Sequence, residues 1–284
     1  MKSFHIFNQG DKVLFRNHSD YILFNNRFAA IAAMTHCNIL CLTIMSTHFH
    51  SIIQTNDNDK GKLQIFINRL KQSYSLAYKH AHHASISGLL EIDIIELESS
   101  NDVCVRLEYV LKNPVHHCVV SYPFAYKYSS IHAIYPELLS PDYSKKLEIM
   151  KQFSSLSSRK KSTLFGTYLL PDNYLLDESG YAIPDSYIDV SKVRWYFKNK
   201  IREFMYKMNR SSLDSCGEII EDSRLDIQCE NYSDINVCDF IDKYAINAGV
   251  DSFHILCQEA KNTISQILLR KGISPEQIRR CLWL

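Results

Sequence analysis

The sequence predicts an α+β fold, with a mostly antiparallel sheet that carries helices on one face, followed by a mainly helical C-terminal region. Up to Asn113-Pro114, apolar residues at strand spacing alternate with apolar residues at helical spacing, in the order βαββαβα. Elements in this order suit a small antiparallel sheet covered by helices. Beyond residue 140 the apolar spacing is mostly helical, apart from turns and short strands predicted at residues 167–184.

Each N-terminal element has its own local signal. Short apolar runs between polar turns predict strands at residues 4–8, 39–44, 48–54 and 91–97. Apolar side chains that recur every three or four residues predict helices at residues 21–34, at residues 63–83 and from Ser99 or Ser100 onward. The third helix is predicted to end before Asn113-Pro114, because proline cannot continue a helix.

Charge comes in blocks in the rest of the chain. A helix predicted at residues 147–158 leads into the basic residues 159–161, and a single basic amphipathic helix is predicted at residues 191–209. Residues 214–259 are acidic, and the last residues turn basic again. We therefore predict a domain at residues 1–140, a basic helical extension at 141–212 and a helical domain at 213–284.

The composition excludes several classes of protein. Of the 284 residues, 32 are Lys or Arg and 31 are Asp or Glu, so the formal net charge is +1. No apolar run reaches the roughly 20 residues that span a membrane, and the N-terminus lacks the apolar core of a signal peptide. The nine cysteines are scattered and form no C-x-x-C pair. This usage predicts reduced thiols in a cytoplasmic protein.

Two histidines in the third predicted element are candidates for metal ligands. His48 and His50 are two residues apart on a predicted strand, so both point to one face, while Phe49 points to the other. Two imidazoles on one face make half of a metal site. A catalytic site also needs a nucleophile and usually a third ligand. Without these, the pair would be two incidental histidines.

Tyr109 and Asn113 are the candidates for completing the site. They are four residues apart on a predicted helix and therefore share a face. Taken alone, Tyr109 reads as a core tyrosine of an amphipathic helix. Tyr74 and Tyr78 on the second helix compete with it as nucleophile, although packing against the sheet or stacking on a base explains them as well.

Both stretches resemble one known family. His48-Phe49-His50 with Ser51-Ile52-Ile53 resembles the N-H-x-H-x-x-x signature of HUH single-strand transposases. The stretch from Tyr109 to Val115, followed by Tyr122-Pro123 and Tyr128-Ser129-Ser130, resembles the signature of their REP-associated tyrosine branch. The resemblance covers about residues 1–135. Ser46-Thr47 stands where the family usually has Pro-Asn, and residues 82–88 lack the expected Trp and Arg.

The resemblance implies a ferredoxin-like HUH domain and a mechanism. A divalent metal, Mg or Mn, would be held by His48, His50 and Asn113. It would polarise a phosphate of single-stranded DNA, which Tyr109 would attack to form a 5′-phosphotyrosine. The substrate would be a short REP-like hairpin with a flanking single strand. The resemblance also implies a homodimer and a place in the cytoplasm at the nucleoid.

Basic and polar side chains elsewhere are candidates for DNA contacts. Residues 159–161 and 191–210 are either a DNA footprint or a solvated helix face. Residues 262–284 read as helix, glycine turn and helix, which is either a DNA-binding helix-turn-helix or a plain helical hairpin. The candidate contacts are Arg69, Lys71, His116, Lys160, Lys161, Gln277, Arg279 and Arg280.

Three functions follow from these observations. The leading one is a metal-dependent tyrosine transposase that cleaves and rejoins single-stranded DNA. The alternative is a domesticated protein that binds the DNA hairpin but has lost catalysis, as the departures from the family signature suggest. A third is a metal-dependent hydrolase of small phosphates.

Overall fold

The computed structural model describes residues 1–56, 60–86, 88–138, 142–148, 150–210 and 232–284. The predicted boundaries near residues 140 and 212 lie outside these ranges, as does the first part of the acidic segment.

A four-stranded antiparallel sheet forms the N-terminal half, in the order β2-β3-β1-β4. Its strands are β1 (Lys2–Phe7), β2 (Asn38–Ile44), β3 (Phe49–Thr55) and β4 (Asp93–Leu97). The helices between and after them are α1 (His18–Thr35), α2 (Lys60–His82) and α3 (Ser100–His116). The α+β class and the order βαββαβα are therefore confirmed.

Helices cover both faces of the sheet. Phe49 packs against Phe24 and Phe28 of α1, and Phe28 packs against Phe66 of α2. His50, the next residue of β3, instead approaches α3. The prediction of helices on one face is right for α1 and α2 and wrong for α3. The burial of every residue of β3 shows the same arrangement, because a strand with one open face would alternate.

Helix α3 runs four residues past the predicted end. Ser99 and Asp102 form a capping box at its start. Pro114 lies within the last turn, so its missing N–H removes one bond near the end of the helix, where few bonds remain to be lost. The N–H of His117 still donates to the carbonyl of Asn113 at 3.1 Å. Asn113 is therefore helical and follows Tyr109 by one turn.

Two further predicted helices are wrong in their extent. The basic segment forms α7 (Val190–Tyr196) and α8 (Ile201–Asn209), because Lys198 and Asn199 adopt left-handed backbone conformations that interrupt it. Residues 147–158 hold the end of α5 (Tyr143–Glu148) and β5 (Lys151–Gln152), which pairs with β6 (Leu175–Leu176). The short helix α4 (Ile131–Ile134) precedes these elements, and α6 (Ser158–Phe165) follows β5.

The last three helices form a second apolar cluster around Ile241, Ile264 and Ile278. They are α9 (Asp234–Asn247), α10 (Gln258–Arg270) and α11 (Pro275–Leu282), and the predicted helix, turn and helix at residues 262–284 are confirmed as elements. Buried Arg16 joins this cluster to the N-terminal half, since it donates to the Cys281 carbonyl at 2.7 Å and to Asp242 at 2.8 Å. Within the described ranges, no helix has the length and apolar character needed to span a bilayer.

A buried charge network fixes α8 against α3. Glu108 accepts two bonds from Arg210, both 2.8 Å long, and lies 3.5 Å from Lys112, which is itself 1 % exposed. Lys112 also donates to the carbonyl of Arg210 at 2.9 Å. A buried charge that loses its partner costs far more than an exposed one, because it has no water to replace that partner.

We expect Glu108→Gln to lower the free energy of unfolding by about 3–5 kcal/mol, since it leaves Lys112 buried without an opposing charge. Asp239→Asn is the matched control, because Asp239 and Lys243 have the same four-residue spacing but are exposed. That change should cost less than about 1 kcal/mol. Urea unfolding of both variants measures the difference, and equal small effects would contradict the buried network.

Candidate active site

The four residues predicted to carry the chemistry come together between the start of β3 and α3. The ring of Tyr109 is centred 5.4 Å from that of His50, edge to face. The ring of His48 is centred 5.1 Å from that of His50. Asn113 is fully buried one helical turn after Tyr109, and it contacts His48. Local periodicity sets the face of each pair, and the packing of α3 against the sheet brings the two pairs, about sixty residues apart in sequence, to one place.

His48 is held at both ring nitrogens. Its Nε2 lies 3.1 Å from the Asn113 Oδ1, and its Nδ1 lies 2.8 Å from the Thr47 Oγ1. The ring can therefore turn little about its χ angles. Thr47, which departs from the family signature, takes part directly in orienting this histidine.

His50 is held by a histidine that the sequence did not single out. His5 lies on β1, which pairs with β3, and its Nε2 is 3.0 Å from the Nδ1 of His50. This contact leaves Nε2 as the nitrogen of His50 that His5 does not engage. Phe7 stacks on both rings at 4.8 and 5.6 Å. The place of His5 on a strand was a usable signal, but its partner depends on strand pairing that the sequence alone does not fix.

The turn before β3 is fixed from several sides. The side chain of Asn8 accepts from the Phe49 N–H at 2.9 Å, and the Ser46 carbonyl accepts from two N–H groups of the 13–16 loop. A Cβ on Gly10 would lie 2.5 Å from the Thr47 carbonyl oxygen, so any other residue there would push the turn away. The Ser46 hydroxyl donates to Asp234 at 2.6 Å. Ser46, which stands where the family usually has proline, thus connects this turn to α9.

The histidines of the site are neutral at neutral pH. Burial lowers the pKa of His48 and of His5 to about 3, with help from the nearby charges of His117 and Arg106 respectively. Burial likewise lowers the pKa of His50 well below its ordinary value. Neutral imidazole is the form that binds metal ions, because the ligand nitrogen must carry a lone pair.

The end of α3 adds two more histidines. The ring of His117 is centred 4.9 Å from that of His48, and the ring of His116 is centred 5.4 Å from that of Tyr109. Burial lowers the pKa of His116 to about 4. Its Nε2 is buried and has no hydrogen-bond partner within the described residues. His116, predicted as a DNA contact, therefore lies at the candidate site, beside the predicted nucleophile.

The donor atoms fit a divalent cation, with one restriction. Across the described ranges, no three His, Cys, Asp or Glu side chains are placed to hold one metal together. A third protein ligand would have to be the amide oxygen of Asn113. Its 3.1 Å separation from the His48 Nε2 matches two neighbouring ligands at about 2.1 Å from one ion. The His5–His50 bond is the outer contact that orients ligand imidazoles in metal sites.

Four predicted DNA contacts lie away from this site. Arg69 is exposed on α2, and Lys71 pairs with Glu91 at 2.5 Å. Lys160 is exposed on α6, and Lys161 lies over the Phe153 ring. Helix α6 packs against α1 through bonds from Arg27 to its carbonyls, so it lies on the face of the sheet opposite to the histidines.

The C-terminal candidates are mostly engaged inside the protein. Gln277 is 1 % exposed and donates to Asp234 and to the Tyr232 carbonyl, while Arg280 forms an ion pair with Asp234 at 2.8 Å. A DNA contact by either would require breaking these bonds, so the structure favours the plain helical hairpin for them. Arg279 is exposed, and its DNA contact stays a prediction.

Comparison with known proteins adds little. No family model and no curated protein matches the sequence. A solved structure of a REP-associated tyrosine transposase bound to a REP hairpin aligns over 49 % of this chain and 82 % of that one, with 17 % identity and a TM-score of 0.37. A likeness of that size establishes neither family nor function.

Acid should destabilise the fold through these neutral histidines. An unfolded histidine takes up a proton near pH 6.5, whereas folded His5 does so near pH 3. The contribution of His5 to the free energy of unfolding is therefore fully present above pH 6.5 and is lost as the pH falls from 6.5 towards 3. Each such histidine should cost about 1 kcal/mol between pH 6.5 and 5.5. Urea midpoints across this range should fall less steeply for His5→Asn than for the unaltered protein. Equal slopes would show that His5 is protonated when folded.

Proposed function

We propose that this chain is a metal-dependent tyrosine transposase of the REP-associated kind, which cleaves and rejoins single-stranded DNA through Tyr109. The observation that carries the proposal is the position of Tyr109 beside His50, one turn before the asparagine that contacts His48. The family resemblance described above implies the roles of nucleophile and ligand for these residues.

The sheet supports the proposal. The order β2-β3-β1-β4, with α1 and α2 together on one face, is the arrangement of a ferredoxin-like fold. In this arrangement the two central strands are β3 and β1, and they carry His50 and His5 on the face toward α3. The fold thus holds the candidate ligand His50 and its partner His5 on rigid, paired strands, with His48 in the turn just before β3 and Asn113 on α3.

His48 and His50 would hold the metal, with Asn113 as third ligand. When bound, a divalent ion polarises a phosphate and stabilises negative charge on its oxygens. Two neutral nitrogens and one amide oxygen are a weak set for a hard cation such as Mg or Mn. Phosphate oxygens of the DNA and water would therefore complete the coordination, which makes metal affinity depend on DNA.

The chain's own residues account for the rest of the reaction. The Tyr109 oxygen attacks phosphorus, forming the O–P bond of a phosphotyrosine, while the bond from phosphorus to the 3′ oxygen breaks. The phenol proton passes to a neutral imidazole. Our candidate is His116, because its ring is as near to Tyr109 as that of His50 and it is not one of the proposed metal ligands. The leaving 3′ oxygen takes the electron pair of the broken bond and a proton, either from that imidazolium or from water, and is released as a hydroxyl. A second strand's 3′-hydroxyl reverses the step, so no external energy is needed.

One observation favours the alternative of a hairpin-binding protein without catalysis. Residues 82–88 lack the basic and aromatic side chains expected of the family, and His82 is turned toward α1, where it lies 2.7 Å from Asp20. This segment therefore has fewer basic and aromatic side chains to contact DNA than the family signature has. The hairpin substrate, the homodimer and the association with the nucleoid remain proposals under either function.

We expect the protein to form a covalent adduct with labelled single-stranded DNA in Mn²⁺ or Mg²⁺, visible on a denaturing gel. Tyr109→Phe should abolish the adduct, because it removes the attacking oxygen. Tyr122→Phe, at an exposed tyrosine, is the control and should leave the adduct unchanged. An adduct that persists in Tyr109→Phe would show that another residue is the nucleophile. Salt-sensitive DNA binding with no adduct in either metal would favour the alternative.

Metal binding tests the other half of the site. We expect His50→Ala to abolish Mn²⁺ binding, measured by electron paramagnetic resonance with and without DNA. His5→Phe should weaken it by about 10–100-fold, since outer contacts contribute that much. His80→Ala, at an exposed histidine of α2, should change nothing. Unchanged affinity in His50→Ala would rule out this residue as a ligand.

A further inference from the structure

Arg106 is a basic side chain at the candidate site for which the family motifs give no role. It lies three residues before Tyr109, so it shares a face of α3 with it. Its guanidinium carbon is 5.8 Å from the centre of the Tyr109 ring. Burial and the Arg106 charge together lower the pKa of His5. The guanidinium is therefore close to the tyrosine and to the histidine pair at once.

Arg106 differs from four other arginines of the described residues in having no carboxylate partner. Arg16, Arg194, Arg210 and Arg280 each form an ion pair with a carboxylate. Within the described residues Arg106 forms no ion pair. The two acids of α3 are already engaged, since Asp102 caps the helix and Glu108 binds Arg210.

Among the described residues beside the Tyr109 ring, Arg106 carries a permanent charge that no carboxylate offsets. The imidazoles around Tyr109 are neutral, and Lys112, the other permanent cation of α3, is buried against Glu108. A guanidinium that is half-buried without a carboxylate is suited to an anion that arrives from outside. Its planar fork can donate two parallel bonds to the oxygens of one phosphate.

We propose that Arg106 is a catalytic residue that binds the non-bridging oxygens of the scissile phosphate and holds that phosphate against the Tyr109 hydroxyl. This proposal rests on the proposed function. The guanidinium keeps its proton throughout. It stabilises the charge that gathers on the phosphate oxygens as Tyr109 attacks, and it contributes most where water is excluded.

Two variants and a control test this role. Arg106→Met keeps the length and apolar stem but removes the charge, and Arg106→Lys keeps the charge but loses the fork. Lys243→Met, at an exposed lysine of α9, is the control. In single turnover with labelled single-stranded DNA and Mn²⁺, Arg106→Met should form the adduct about 10²–10³-fold more slowly. Arg106→Lys should be intermediate, and Lys243→Met should keep the full rate.

A binding measurement separates this proposal from the proposed function. In a Tyr109→Phe background, Arg106→Met should reduce the slope of log affinity against log salt for single-stranded DNA by about 0.7, the value for one phosphate contact. Mn²⁺ binding should stay unchanged in all three variants. An unaltered slope, or an unaltered rate in Arg106→Met, overturns the role of Arg106 while leaving Tyr109 as nucleophile. Absence of any adduct in the unaltered protein overturns the proposed function. The salt slope would then test only whether Arg106 contacts a phosphate.

Discussion

The candidate site depends on the antiparallel pairing of β1 with β3. This pairing sets His5 beside His50 and fixes which side of β3 each residue faces. Phe49 then points into the aromatic cluster of α1 and α2, while His50 points toward α3. A slip of one residue would exchange the two side chains, burying an imidazole among phenyl rings and exposing a phenyl ring to the tyrosine. The core of the protein and its candidate chemistry are therefore specified by the same register.

The C-terminal helices take part in this specification. Asp234, at the start of α9, accepts from Ser46 in the turn before β3 and is itself bound by Arg280 and Gln277 of α11. Gln277 and Arg280, which the sequence suggested as DNA contacts, instead bind Asp234 and so help to fix the turn that orients His48. Asp234 is partly buried and depends on these partners. Freeing Arg280 would therefore also weaken the contact of Asp234 with the turn before β3. The C-terminal region is thereby joined to the site through one acid.

The sequence predicted what local periodicity and spacing control, and missed what distant contacts decide. The order of elements, the capping of α3, and the pairing of His48 with His50 and of Tyr109 with Asn113 follow from short-range patterns. The family resemblance, and not these patterns, joined the two pairs into one site. The placement of α3 on the second face and the break at Lys198 do not, because packing against other elements selects them. His5 escaped notice for the same reason, as its partner lies 45 residues away. Arg106 lies only three residues before Tyr109 in the sequence. Its lack of an ion-pair partner among the described residues is visible only in three dimensions.

The charges of the site explain why it can do without carboxylates. Arg106, and the neighbouring histidines when they are protonated, all lower the pKa of His50. A hard cation such as Mg²⁺ is usually held in proteins by carboxylates. A carboxylate 4 Å from an incoming phosphate would, however, repel it by about 4 kcal/mol at an effective dielectric constant of 20. A neutral ligand set avoids this repulsion and lets the phosphate bring the negative charge that the cation requires. Metal and phosphate would then bind cooperatively, and neither would bind tightly without the other.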